Sequence, residues 1–168
     1  MMPRTYEPIA SQTLGSATST VTLSSIPSTY TDLVLVFLFK GNTTNQPTLQ
    51  VTFNGTTTGY SGTQLTGNGS SAASYRNTSA AFISIARLVG QPASSSGVAT
   101  VILDVMSYAN TSVFKTLLGQ AASSDTGVER EVGLWQNTAA INEIKITTAT
   151  SNDFGIGSVV SLYGIKAA

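Results

Sequence analysis

The chain has 168 residues and no net charge: eight Lys and Arg balance eight Asp and Glu, and charged residues make up 10% of the sequence, against roughly 25% in ordinary soluble domains. That balance excludes electrostatic capture of nucleic acid or of an anionic membrane, both of which need clustered basic residues. The lack of cysteine and histidine excludes disulfides, thiolate or imidazole metal sites and His-containing triads, and no cofactor is expected.

Hydrophobic residues, at 41%, suffice for one domain with its own core. Ser and Thr exceed a quarter of the chain. Copies of such a neutral, hydroxyl-rich surface repel one another weakly, which suits a member of an assembly.

In chain order, residues 1–14 (MMPRTYEPIASQTL) carry Pro3 and Pro8, which keep them off a central strand. They read as an extended N-terminal arm ahead of a β domain over 15–168. Pro3, Arg4, Tyr6, Pro8, Ile9 and Leu14 are its candidate assembly contacts. Val21 and Leu23 alternate with polar neighbours. The run TYTDLVLVFLFKGN, residues 29–42, then holds seven consecutive apolar residues from Leu33 to Phe39. It is too short for a membrane helix, which needs about 20. As a strand it points Leu33, Leu35, Phe37 and Phe39 one way, and Val34, Val36 and Leu38 the other. Both faces are apolar, so the strand should be covered twice.

Leu49–Phe53 alternates again, and residues 54–79 (NGTTTGYSGTQLTGNGSSAASYRNTS) read as a long loop, as do residues 90–97. Phe82–Ile85 and the run from Val98 to Tyr108 follow. Val113–Leu118, Val128–Trp135, Ile141–Ile146 and Val159–Ile165 complete the set. About nine or ten strands separated by Gly, Ser, Asn and Pro clusters predict an all-β antiparallel sandwich or jelly roll. Residues 32–39 and 98–106 should be its central strands. No heptads or collagen-like triplets occur in the sequence, so shaft material is not expected.

Four sets of residues invite chemistry. Glu129 and Glu131 share one face of VEREVGLW, with Arg130 on the other, and carboxyls about 6–7 Å apart fall within glycosidase range. Two acids on a strand face are more often solvated, and a solvated pair is expected. Asp104 interrupts an apolar strand and has Arg87 or Lys115 as possible cross-strand partners. Asn152 and Asp153 supply too little charge for calcium and read as a turn, so no metal site is expected. Tyr60, Asn68, Tyr75, Arg76 and Trp135 combine rings, amides and a guanidinium in the manner of a sugar-binding surface. The competing role for their rings is core packing.

SSIPSTYTDLVLV, VTFNGTTTGYSG, GNGSS and the C-terminal GSVVSLYGIK together resemble a group of small β-rich virion proteins of tailed bacteriophages and prophages, with the pieces in the same order from Tyr6 to Lys166. The resemblance implies a single β-sandwich domain and carries over no catalytic residue. What it implies is a non-enzymatic capsid decoration (cement) protein, a homotrimer bound to the major capsid protein or to tail proteins. Its place would be the virion, assembled in the bacterial cytoplasm. The alternative is a tail-associated domain that binds a host surface glycan.

Overall fold

The computed structural model describes residues 6–40, 48–86, 98–123, 126–149 and 153–166. Twelve strands and no helix occur among them: β1 Glu7–Thr13, β2 Thr20–Leu23, β3 Asp32–Phe39, β4 Leu49–Phe53, β5 Tyr60–Gly67, β6 Ala72–Ala80, β7 Ile83–Ile85, β8 Ala99–Met106, β9 Lys115–Ser123, β10 Gly127–Trp135, β11 Ile144–Thr148 and β12 Val159–Ile165. They form two antiparallel sheets. The larger has eight strands in the order β1-β12-β3-β8-β9-β10-β5-β6, and the smaller has four in the order β2-β11-β4-β7. This is the predicted all-β two-sheet fold, with β3 and β8 side by side inside the large sheet.

The two sheets enclose one core. Leu33, Leu35, Phe37 and Phe39 of β3 point into it and are buried, and meet β4, β7 and β11 through Leu49, Val51, Ile85 and Ile146. Edge-to-face rings of Phe37, Phe39 and Phe154 fill one part. Phe53, Tyr60 and Trp135 fill another, Tyr60 and Trp135 stacked with centroids 6.1 Å apart. Offset aromatic packing of this kind favours one arrangement of the core over its alternatives.

The second face of β3 is only partly covered. Val34 is buried, Val36 is half-buried and Leu38 is exposed. Two-layer packing uses one face of each sheet, so the expected second cover is missing towards Leu38.

Two further expectations change. Residues 7–13 are not a free arm: they form β1, paired with β12 along the edge of the large sheet, with an irregularity between Pro8 and Ala10. An edge strand tolerates the proline that a central strand would reject. Leu14 is in the core, Ile9 packs partly against it and Tyr6 is exposed, while Pro3 and Arg4 lie outside the described residues. The supposed loop at 54–79 is mainly the β5–β6 hairpin. It opens with a tight Asn54-Gly55 turn, both residues at positive φ, the conformation for which Asn-Gly is suited. The stretch 90–97 lies outside the described residues.

Candidate functional site

The outward side of the large sheet carries an open groove of about 590 Å³ over β8, β9, β10 and β5. Strand pairing sets its lining. One row across the sheet reads Val36, Ile102, Gln120, Arg130, Leu65, and the next reads Leu38, Thr100, Ala122, Val128, Gly67. These residues lie on the same face because side chains alternate along every strand. Leu65 and Val128 are 59% and 60% exposed, so the walls are apolar and open. Arg130 and Gln120 supply the polar contacts between them.

A smaller depression of about 180 Å³ adjoins it, lined by Thr63, Arg76, Asn77 and Val132. A third row brings Asp104, Leu118, Val132, Thr63 and Arg76 together. Neither Arg130 nor Arg76 makes an ion pair with another described residue. Two exposed guanidiniums thus stand on one face with hydroxyl, amide and apolar groups around them.

The sugar-binding set predicted from the sequence is split by the fold. Tyr60 and Trp135 are core residues and offer no ring to a ligand. Tyr60 instead uses its hydroxyl as acceptor for the Phe53 N–H at 2.8 Å. Asn68 is spent on the hairpin turn, where its side-chain oxygen accepts from the backbone N–H of Ser70 and Ser71. Tyr75 is half-buried on β6, opposite Gln64. Arg76 alone of the five reaches the groove face. Arg130, Gln120 and Leu65 were missed, and the signal available was that Arg130 had to face away from its two glutamates.

Those glutamates lie on the inner side of β10 and are not solvated. Glu129 and Glu131 are 3% and 4% exposed. Glu129 Oε1 accepts from the Ala86 N–H at 2.7 Å and from Gln64 Nε2 at 3.4 Å. Gln64, opposite Glu131 in the β5–β10 pairing, also donates to the Ser84 carbonyl. Burial first, then the neighbouring Glu129, push the Glu131 carboxyl up to about 9, with the Gln64 contact opposing them. Two glycines make the room: a Cβ at position 62 would collide with Glu131 Oε1, and one at position 119 would meet Glu131 Cβ at 3.1 Å.

Lys115 does not pair with Asp104. It is buried and donates to the carbonyls of Asn110, Val113 and Thr138 at 2.5, 2.8 and 3.1 Å, while Asp104 sits between Val34 and Leu118 on the opposite face. Arg87 and Asn152 lie outside the described residues. Asp153 leads into the buried Phe154, which bridges to Thr18.

No protein family model matches this chain, and no curated protein matches it. Two solved structures are similar to it. One is the PL-14 alginate lyase from Aplysia kurodai, with 10% identity, a TM-score of 0.36, and 94% of this chain and 81% of that one covered. The other is a mutant of the alginate lyase Aly36B in complex with alginate trisaccharide, with 6% identity, a TM-score of 0.31, and coverage of 93% and 80%. Both are enzymes and neither is a virion protein. On that finding the expectation of a non-enzymatic capsid decoration protein is withdrawn, with its phage and cement-protein description. No activity or residue role is carried over from the two lyases.

Proposed function

We propose that the outward face of the eight-stranded sheet binds an extended glycan, with acidic sugar units preferred. The observation that supports this is the open groove over β8, β9, β10 and β5, which sets Arg130 and Gln120 between the apolar walls of Leu65, Val128 and Ile102. Sugar rings present apolar C–H faces beside hydroxyl or carboxylate groups, and such a lining matches both. A guanidinium can grip a carboxylate through two parallel hydrogen bonds, which lysine cannot do. Arg76, in the adjoining depression, extends the same chemistry to a further sugar unit.

The test is calorimetric titration with alginate and polygalacturonate as acidic chains and with a neutral glucan as comparison. Acidic chains should bind more tightly, and Arg130→Ala should weaken them by about tenfold or more, the range of a lost charge-assisted hydrogen bond. Arg76→Ala should have a smaller effect, because it lies outside the main groove. Absence of binding to every chain, or equal binding by the Arg130 variant, overturns the reading. Sizing the polysaccharide after incubation reads whether the bound chain is also shortened.

A second reading rests on a different observation on the same face. Leu38, Leu118, Val128, Val132 and Leu65 are all exposed there. A contiguous apolar surface of this extent commonly marks a protein contact, and a second copy of this chain would cover it.

A further inference from the structure

Two oxygens buried together on the inner side of β5 and β10, Gln64 Oε1 and Glu131 Oε2, have no hydrogen-bond partner among the described residues. Gln64 is 1% exposed, and its amide cannot be turned round to satisfy them. Its Nε2 already faces two acceptors, the Ser84 carbonyl and Glu129 Oε1, so the nitrogen is fixed there and the oxygen must face the other way. A buried acceptor left unmet costs free energy, and a buried carboxylate costs more. Neither oxygen can satisfy the other, because both are acceptors.

We propose that Glu131, Gln64 and Glu129 form an interior site for a hard divalent cation of the calcium class. The donor set is oxygen only, two carboxylates and one amide carbonyl, which is the chemistry such ions select over softer metals. Pairing across β5 and β10 brings Gln64 and Glu131 face to face, and Glu129 shares the inner side of β10 within reach of the Gln64 amide. Gly62 and Gly119 supply the space that side chains would otherwise fill. A water molecule could donate to both unmet oxygens but brings no charge to set against the Glu131 carboxylate. A proton on Glu131 would neutralise that group yet leave the amide oxygen dependent on a single contact. The elevated Glu131 carboxyl fits a group whose ionised form lacks a cation beside it. This site lies on the inner side of the sheet and does not depend on the glycan reading.

The experiment uses the full chain, treated with EDTA and then titrated with calcium chloride alone at pH 7.5. One calcium per chain should bind, and saturation should raise the melting temperature by roughly 5 °C or more. Glu131→Gln keeps the shape, removes the charge and should abolish both the heat and the shift. If that variant does not fold, Gln64→Met, of similar volume without the amide oxygen, takes its place. Magnesium and manganese serve as comparison ions. The proposal is overturned if none of the three ions binds or shifts the melting temperature, or if the substituted chain responds as the native chain does.

Discussion

Glu131 occupies a position that an alternating pattern would hand to an apolar side chain. On β10 the apolar residues Val128, Val132 and Leu134 share one side, with Glu129, Glu131, Gly133 and Trp135 on the other. Pattern alone would bury the valines. The strand is turned the opposite way because Trp135 stacks on Tyr60 and Phe53 in the core, and one fixed residue sets the direction of every other residue on a strand. The sequence therefore showed that the two acids share a face, but not that this face is the inner one. Glycines opposite them at 62 and 119 were the legible trace, since a glycine within a strand often marks a close approach. A pH dependence follows. The Glu131 carboxyl rises from 4.5 to about 9 on folding, so between those values the folded chain holds a proton that the unfolded chain has lost. Stability from this group is complete below about pH 4.5 and is lost as pH rises towards about 9. In EDTA-treated protein, Glu131→Gln should flatten that decline and melt above the native chain at pH 9, by an amount on the order of a few kcal/mol. Thermal melts from pH 5 to 9 check it, and parallel curves for the two proteins would refute it.

At the scale of elements, strands were legible where alternation buries one face and obscure where neither face is strongly apolar. β3, β4, β8 and β12 stood out by their Val, Leu, Ile and Phe. β6, written AASYRNTSA, is exposed or half-exposed along its length and offered no periodicity to read. It is a strand because β5 gives it hydrogen-bond partners, a tertiary cause that local sequence does not carry. β1 was misread for a related reason. Its prolines excluded a central strand, but an edge was still open to it. The role of this segment in stability is now specific. Its register runs from Glu7 opposite Gly164 to Thr13 opposite Val159, and Lys166 closes the end with an ion pair to Glu7 at 3.2 Å. That exposed pair adds little. Protection of the β12 edge matters more, because an uncovered edge is a template for association. Deleting residues 1–13 should lower the melting temperature by roughly 5 °C or more and promote aggregation on heating. Thermal melts with light scattering measure both. An unchanged melting temperature would show that β1 is a dispensable overlay.

At the scale of the molecule, composition and period-two patterning were enough for a two-sheet sandwich with β3 and β8 inside it. Strand order was beyond them, and so was the face that stays open. That face is where the two functional readings meet. The doubly apolar run at Leu33–Phe39 implied a second cover, yet the four-stranded sheet covers only the inner side. Leu38 is exposed, and Leu118, Val128 and Val132 continue the apolar surface across β9 and β10. A glycan would use the half with Arg130 and Gln120. A second copy would use the row through Leu118 and Val132, where Asp104 and Arg76 mark the margins. If copies associate through this row, sedimentation at tens of micromolar should show a dimer or larger species. Leu118→Asp should return it to a monomer with a nearly unchanged melting temperature, because the side chain is exposed and a charge there strains no core. Glycan and self-association should then compete, and adding an acidic chain should dissociate the oligomer. An intact chain that stays monomeric at millimolar concentration would leave the apolar row to the ligand, as an extension of the groove.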